Sequence, residues 1–158
     1  MKPGKLYGVG IGPGDPRYLT LRAADVLRSV DVIFTVISQN ASSSVSRSVV
    51  ESLEPRGEIH LQIFSMSRDK AVRAAQVQAN ADAIITELKV GRDCAFATLG
   101  DAMTYSTFGY VLEIIRESIP GVELEIVPGI TSFATLTAKA GTVLVENGEQ
   151  LRVIPSFK

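Results

Sequence analysis

The sequence is poor in residues that cross-link small proteins or hold metal ions: it contains one cysteine, one histidine and no tryptophan in 158 residues. A single cysteine, Cys94, cannot form an internal disulfide. One histidine, His60, leaves no ligand cluster at the usual zinc spacing, so we expect no protein-bound metal. Because each lies within a short apolar run, we interpret Cys94 as a core residue and His60 as a half-exposed strand residue.

The sequence also lacks a concentrated basic run. Lys plus Arg total 16 and Asp plus Glu total 17, for a net charge of -1, whereas nucleic-acid-binding proteins usually present a basic face. No stretch approaches the roughly 18 apolar residues that span a bilayer, and the first residues lack the apolar core of a secretory signal. We therefore expect a soluble, cytoplasmic protein whose partners are neither nucleic acids nor membranes.

Hydrophobic residues make up 46% of the chain and form short apolar runs that alternate with helical patterns. The runs predict strands because they are rich in branched residues and bounded by Gly, Pro or Ser. These strands cover residues 5–11, 31–37, 58–64, 93–99 and 123–127. The helical patterns follow caps at Thr20 and Asp69 and also cover residues 45–53, 108–119 and 130–138. This order requires crossover helices, so we predict an α/β fold with a mainly parallel sheet flanked by helices.

Four of the helical patterns place their apolar residues on one face, which we expect to pack on the sheet. In chain order the predicted faces comprise Leu21, Ala24, Leu27 and Arg28; Val77, Ala81, Ile84, Ile85 and Leu88; Phe108, Val111, Leu112, Ile115 and Ile119; and Ile130, Phe133, Ala134, Thr137 and Ala138. The Ser-rich stretch at residues 38–48 is predicted to be a loop that leads into a short helix, with a serine as its cap.

Four loops are expected at the carboxyl edge of the sheet, which is where open parallel sheets bind ligands. They are residues 12–19, 64–69, 99–106 and 128–132, with the sequences GPGDPRYL, FSMSRD, LGDAMTYS and PGITS. These loops also have unusual compositions, in which Gly, Pro, Asp, Ser and Thr are clustered. We therefore expect all four to contribute to one site.

The first loop follows a glycine-rich segment, YGVGIGPGD, that lacks the third glycine of a dinucleotide-binding turn. That position is Pro13 when counted from Gly8 and Asp15 when counted from Gly10. Proline has no N–H to donate to a pyrophosphate, and Asp15 would face it with a negative charge. An alternative for Gly8 and Gly10 is that they only allow close packing inside a central strand. A nicotinamide-dependent oxidoreductase is therefore disfavoured.

The loops better suit a ligand that combines a cationic centre with a nucleoside, because Asp15 and Asp101 tolerate positive charge. S-adenosylmethionine has both groups, and its carboxylate can meet the unpaired N–H groups of a helix that begins near Thr131. The residues alone leave two alternatives open. Thr131 and Ser132 can act only as helix caps, and Asp101 can act only in an Asx turn.

Three segments resemble the signatures of the tetrapyrrole methyltransferases of cobalamin and sirohaem synthesis: VGIGPGDPRYLTL, TLGDAMTYSTFGYV and EIVPGITSFATLTAKAG. The resemblance covers essentially the whole chain. The stretch FSMSRDKAVRAAQVQANADAI and the Y-S-T-F-x-Y segment look most like the group that methylates C(20) of precorrin-2 or cobalt-factor II in cobalamin biosynthesis. One departure is Ala102, where the family usually has proline after Gly-Asp. Because alanine does not fix φ, we expect this loop to be slightly looser.

The resemblance implies an S-adenosylmethionine-dependent methyltransferase that acts on a tetrapyrrole, binds its donor between two α/β domains and forms a homodimer. The family motifs then place the donor against Leu99, Gly100, Asp101, Thr104, Tyr105, Thr131 and Ser132. The first loop is expected to face the substrate, through Gly12, Pro13, Gly14 and Asp15. Because precorrin-2 carries many carboxylates, Arg17, Arg68 and Lys70 are candidate partners for them. No catalytic base is identified.

The resemblance also bears on domain organisation. Residues 1–143 are expected to form an N-terminal α/β domain, and residues 144–158 a linker and the first strand, LRVIPSFK, of a C-terminal domain that is otherwise missing. Family members continue past this point, so the activity of the chain alone is expected to depend on the missing pocket wall. Alternatives left open are a relative that acts on another tetrapyrrole, on RNA or on a protein, and an inactive isolated N-terminal domain.

Overall fold

The computed structural model of the protein describes residues 2–39, 41–65, 67 and 69–155. In this part of the chain, parallel strands form a sheet with the spatial order β3-β2-β4-β1-β5. The strands are β1 (Leu6–Gly10), β2 (Val32–Ser38), β3 (Glu58–Phe64), β4 (Cys94–Thr98) and β5 (Leu124–Val127). The helices are α1 (Leu21–Ser29), α2 (Val45–Glu51), α3 (Lys70–Lys89), α4 (Phe108–Ser118) and α5 (Ser132–Ala140), with a 3-10 turn at Pro16–Tyr18. The predicted α/β fold with a parallel sheet is confirmed.

Helices cover both faces of the sheet. On one face, α3 and α4 pack the apolar faces predicted for residues 77–88 and 108–119 against Phe34 and Phe96. On the other face, α1 and α2 pack over side chains that include Val9 of the central strand β1. Each face thus has its own hydrophobic cluster, and the sheet between them is buried on both sides, as is usual for parallel sheets.

The predicted caps begin three of these helices. Thr20 Oγ1 accepts a hydrogen bond of 3.1 Å from the N–H of Ala23, and Asp69 Oδ1 accepts one of 2.8 Å from the N–H of Ala71. Ser44 caps α2 in the same way. Each cap satisfies a backbone donor that the first helical turn leaves unpaired.

Two predicted helix faces are wrong. In α1 the buried residues are Ala23, Val26 and Leu27, whereas Leu21 is 88% exposed. The predicted face and the buried residues both recur at helical spacing. Leu21, however, is the first helical residue and lies outside the apolar face that Ala23, Val26 and Leu27 present to the sheet. In α5 the predicted apolar face is only partly covered, and Thr135 is the buried residue. Among the described residues, neither hydrophobic cluster includes α5, so its apolar residues lie outside the core.

The segment LRVIPSFK also differs from its prediction. Residues 151–155 form no strand, and residues 156–158 lie outside the described part of the chain. Alternating apolar residues suffice to predict a strand, but a strand also needs a neighbour for its backbone hydrogen bonds. Residues 151–154 are exposed and β5 pairs with β1 alone in the described sheet.

The strand order sets the position of the binding edge. From β1 the chain passes through α1 to β2, on one side of β1, whereas from β4 it passes through α4 to β5, on the other side. The connections that leave β1 and β4 therefore run in opposite directions along the sheet, which makes this point the switch in strand order where open parallel sheets bind ligands. β3 lies at the far edge of the sheet, three strand spacings or about 14 Å from β1.

In the described residues, no helix combines the length and the apolar character that crossing a membrane requires.

Candidate active site at the carboxyl edge

Three loops meet at the carboxyl ends of β4, β1 and β5 through direct backbone contacts. Gly12 and Gly100 form an antiparallel bridge, in which the Gly100 N–H donates to the Gly12 carbonyl at 2.7 Å and the Gly12 N–H donates to the Gly100 carbonyl at 3.2 Å. A Cβ on Gly129 would overlap the Gly100 carbonyl oxygen and lie 2.7 Å from Cα of Gly10. The loops after β1 and β5 can approach this closely because Gly10 and Gly129 have no side chains, and Gly100 adopts a φ of 71° that favours glycine.

Gly8 and Gly10 also lie at close contacts, which bears on whether they serve close packing inside the central strand. A Cβ on Gly8 would lie 2.6 Å from Cζ of Phe108, and a Cβ on Gly10 would lie 2.6 Å from the Gly129 nitrogen. The close-packing interpretation of both glycines is confirmed. Gly10 additionally brings the loop after β5 onto the end of β1.

Asp101 joins the loop after β4 to the loop after β5. Its Oδ1 accepts a hydrogen bond of 3.0 Å from the Gly129 N–H. Its Oδ2 accepts bonds of 3.0 Å from the Met103 N–H and from the Thr104 hydroxyl. Asp101 therefore forms an Asx turn, and its carboxylate organises two loops of the site.

The surroundings of Asp101 keep its carboxyl ionised. Burial alone would raise its pKa, but hydrogen bonds from the N–H groups of Gly129 and Met103 and from the Thr104 hydroxyl outweigh burial. The pKa therefore lies below its usual value, because each of these donors stabilises the charged form. A carboxylate that already accepts several protein hydrogen bonds is a positioning group rather than a proton acceptor.

A cavity of about 350 Å³ opens between the three loops. Its lining includes all seven residues expected to contact the donor: Leu99, Gly100, Asp101, Thr104, Tyr105, Thr131 and Ser132. Pro13, Phe133 and Val153 complete the lining. Phe133 and Val153 were not predicted as site residues, because the sequence pattern indicates a buried helix face for Phe133 and a strand for residues 151–158.

Tyr105 occupies an unusual backbone position in this cavity. Its φ is 47°, which is uncommon for a residue other than glycine and marks local strain. The side chain is 66% exposed, and its hydroxyl donates a hydrogen bond of 3.1 Å to the Val153 carbonyl. The strained backbone thus holds the phenol ring at the cavity mouth, where it contacts the chain after α5.

The start of α5 forms another wall of the cavity. Thr131 stands at the N-cap position, yet its side chain makes no capping hydrogen bond. Capping is therefore not what Thr131 does here. The N-terminus of α5 faces the cavity through Thr131, Ser132 and Phe133, and helix N-termini favour negatively charged groups.

The first loop supplies Pro13 to this cavity and Asp15 to a smaller one beside it. Asp15 is paired with Arg17, whose Nε and terminal nitrogen approach the carboxylate at 3.1 and 2.7 Å. Hydrogen bonds from the Arg17 side chain and backbone lower the pKa of Asp15 to about 2. Gly12 and Gly14 both have positive φ and shape the turn between them.

The third predicted loop does not join the cavity. None of its described residues, at positions 64, 65, 67 and 69, lines it, because the loop leaves the distant strand β3. Lys70 instead lines a groove between α3 and α4. Arg68 lies outside the described residues. The expectation that four loops share one site is therefore corrected to three.

Two other residues singled out in the sequence lie away from the cavity. His60 is partly exposed on β3, with Nε2 3.2 Å from a Glu58 carboxylate oxygen. Cys94 is fully buried in β4, and burial raises the pKa of its thiol to about 12. Both interpretations, as a strand residue and as a core residue, are confirmed. No grouping of three or more metal-ligating side chains occurs in the described part of the chain.

Comparison with known proteins extends over the whole chain. Residues 5–158 match the family model of the tetrapyrrole (corrin/porphyrin) methylases. The chain is 38% identical over 154 residues to a probable cobalt-precorrin-2 C(20)-methyltransferase of Methanocaldococcus jannaschii, with 98% of this chain covered. It is also 38% identical over 152 residues to a cobalt-precorrin-2 C(20)-methyltransferase of Salmonella typhimurium, with 96% covered. The chain spans 65% and 63% of the lengths of these two relatives.

The fold is also similar to a solved structure. A uroporphyrin-III C-methyltransferase of Thermus thermophilus superposes with a TM-score of 0.67 at 29% identity, over 94% of this chain and 57% of that protein. The match to the family model includes the three loops that form the cavity. The chain therefore belongs to the tetrapyrrole (corrin/porphyrin) methylase family.

Proposed function

We propose that the protein containing this chain transfers a methyl group from S-adenosylmethionine to C(20) of precorrin-2 or cobalt-factor II in cobalamin biosynthesis. The observation that carries the proposal is the cavity at the ends of β4, β1 and β5. Seven residues expected from motifs in two separate segments of the sequence line this one space. The family uses S-adenosylmethionine as its methyl donor.

The residues of the cavity fit this donor. A volume of about 350 Å³ falls within the roughly 300–1,000 Å³ of small-molecule sites. Leu99, Tyr105 and Val153 supply apolar surface for a nucleoside. The N-terminus of α5, which Thr131 leaves without a side-chain cap, supplies a place for a carboxylate.

When bound, S-adenosylmethionine supplies a methyl group already activated by the sulfonium. The protein then needs only to position the reactants and exclude water. The Gly12–Gly100 bridge and the Asp101–Gly129 hydrogen bond hold the loops in a fixed relation. Tyr105 and Leu99 line the cavity with apolar side chains that remain partly exposed and limit the access of water to it.

The proposed substrate rests on the relatives. The proteins of M. jannaschii and S. typhimurium, both 38% identical to this chain, are named for C(20) methylation of cobalt-precorrin-2. Because the chain spans only 65% and 63% of their lengths, we further propose that the complete site includes residues of a second domain. The homodimer implied by the family resemblance belongs to the same proposal.

The test is calorimetric titration of the 158-residue chain, and of any longer natural form, with S-adenosylhomocysteine. Binding by the longer form alone indicates that the site is shared with residues outside this chain. Absence of binding by both forms would contradict the proposed donor. Titration with a polycarboxylate porphyrin, an unrelated RNA and NAD compares the proposed substrate class with the alternatives.

A substitution at the cavity gives a second measurement. Gly100 has a φ of 71° and lines the cavity, so Gly100→Val places a branched side chain in a conformation it rarely adopts, at a cost of roughly 1–3 kcal/mol. We expect this change to reduce donor affinity at least tenfold. Gly148→Val is the matched control, because Gly148 has a φ of 75° and open space around it but does not line the cavity. Equal donor affinity of the two variants would contradict the assignment.

A further inference from the structure

A second cavity of about 220 Å³ adjoins the first along the same edge. It lies between the first loop and α5, and its lining consists of Pro13, Asp15, Tyr18, Ser132, Thr135, Leu136 and Lys139. Pro13 and Ser132 line both cavities. The two cavities are therefore neighbours, with Pro13 and Ser132 at their common border.

The negative charge in the second cavity is already compensated. Asp15 accepts a hydrogen bond of 3.0 Å from the Arg17 backbone N–H. The Arg17 guanidinium donates two more, from Nε to Oδ1 at 3.1 Å and from a terminal nitrogen to Oδ2 at 2.7 Å. This bidentate arrangement is the strong form of an arginine–carboxylate pair. Asp15 is therefore committed to Arg17 and to the start of the 3-10 turn.

Lys139 is the remaining charged group of this lining. Its Nζ lies 5.9 Å from the centroid of the Tyr18 ring, so the ammonium is directed across the cavity toward the first loop. Among the described residues, no carboxylate lies within 4 Å of it. The Thr135 hydroxyl donates a hydrogen bond of 3.2 Å to the Thr131 carbonyl. Lys139 contributes at longer range to the lowered pKa of Asp15, but Asp15 is already paired with Arg17. The second cavity therefore carries one positive charge in excess.

We propose that this second cavity binds a carboxylate of the ligand held in the first cavity, with Lys139 as its counter-ion. The inference rests on the proposed function and adds to it a specific recognition residue. Two ligands of the proposed reaction carry carboxylates: the amino-acid end of the donor and the acidic side chains of the tetrapyrrole. The chemistry of recognition is the same for both, an ammonium–carboxylate pair.

If Lys139 had a purely structural role, its removal would change the stability of the protein and not the affinity for a ligand. Lys139 lies in the last turn of α5, where a positive charge interacts favourably with the helix dipole. Lys89 occupies the corresponding position in α3, in the last turn and remote from both cavities. If the dipole were the whole role of Lys139, removing either lysine would affect stability alone.

The experiment compares Lys139→Met, Lys139→Arg and the control Lys89→Met in the longest natural form of the protein. Three probes are titrated: S-adenosylhomocysteine, 5′-methylthioadenosine, which lacks the amino-acid end, and uroporphyrin III, which is a polycarboxylate tetrapyrrole. We expect Lys139→Met to weaken binding of one carboxylate-bearing probe by roughly five- to tenfold, since the pair is partly exposed to solvent. Lys139→Arg is expected to retain most of the affinity, and Lys89→Met all of it.

The pattern of losses identifies the carboxylate. Weaker binding of S-adenosylhomocysteine with unchanged 5′-methylthioadenosine assigns the cavity to the donor. Weaker binding of uroporphyrin III with unchanged S-adenosylhomocysteine assigns it to the tetrapyrrole. Unchanged affinities in a protein that binds the probes would overturn this inference alone. Failure of the unsubstituted protein to bind any probe would overturn the proposed function and the inference together.

Discussion

The carboxyl edge of the sheet has two halves that the chain builds differently. At β4, β1 and β5 the connecting loops touch through Gly10, Gly100 and Gly129 and leave a cavity between their side chains. Beside the end of β2, serine hydroxyl groups take the place of a neighbouring strand. Ser46 Oγ accepts a hydrogen bond of 3.1 Å from the Val36 N–H and donates one of 3.0 Å to the Val36 carbonyl.

This difference follows from where β4 ends. Its pairing with β2 stops at Thr35 opposite Ala97, so the next backbone groups of β2 need other partners. Ser44 and Ser46 supply them, and both side chains are buried. In the serine half, beside β2, side chains therefore satisfy backbone groups that no strand pairs with. In the glycine half, at β4, β1 and β5, the lack of side chains lets the loops approach each other around the cavity.

The largest expected effect is on the glycine half. Gly129→Ala would place a methyl group against backbone atoms of Gly10 and Gly100, which cannot move aside without breaking the loop contacts. We expect the free energy of unfolding to fall by about 3 kcal/mol and donor binding to be lost, as measured by thermal denaturation and calorimetry. Gly109→Ala in α4 is the control, because a Cβ there meets nothing within 4 Å; it is expected to stabilise by about 0.5–1 kcal/mol. Equal melting temperatures would refute the close approach.

An intermediate effect is expected at Asp101. Either orientation of the amide in Asp101→Asn turns an NH2 group toward a backbone or hydroxyl donor, so we expect a loss of about 1–2 kcal/mol. Because the folded-state pKa of Asp101 lies below the ordinary 3.8, its contribution to stability is present above pH 3.8 and is lost as pH falls through the folded value.

Denaturation between pH 2 and pH 7 checks the sign of this effect. The stability difference between the unsubstituted protein and Asp101→Asn is expected to be largest above pH 3.8 and to shrink in acid. Asp82→Asn is a suitable control, since Asp82 accepts a hydrogen bond from Gln78 on the exposed surface of α3. A difference that is constant with pH would show that ionisation of Asp101 does not contribute.

The smallest effect is expected in the serine half. Ser46→Ala removes the buried hydroxyl beside Val36 and is expected to cost about 1 kcal/mol, while donor affinity stays unchanged because β2 does not border the cavity. Ser48→Ala, at an exposed position of the same helix, is expected to be nearly neutral. A loss of donor affinity in Ser46→Ala would show that the two halves of the edge are coupled.

Local signals predicted most of the elements but not all of their packing. Thr20 and Asp69 were identified as caps because the hydrogen bond that a cap makes spans only two or three residues. The faces of α3 and α4 were correct because their apolar residues recur over several turns. The faces of α1 and α5 were not, since each is nine residues long and offers more than one helical alignment of apolar groups.

The candidate site was predicted to a similar extent. The donor residues from Leu99 to Ser132 come together as expected, although their role in binding stays a prediction. Val153 was missed because the alternating apolar residues around it predict a strand, and Lys139 was missed because nothing in its immediate sequence differs from an ordinary helix end. Their place beside the site depends on where α5 and the following chain lie against the first loop.

The sequence by itself determined the alternation of strands and helices and the helix caps, since each depends on interactions between near neighbours in the chain. Only the tertiary structure decided that the loop after β3 lies apart while the loops after β4, β1 and β5 meet. Strand order is set by which hydrophobic faces pack together across the whole sheet, and that long-range choice leaves no local mark in the residues of the loops.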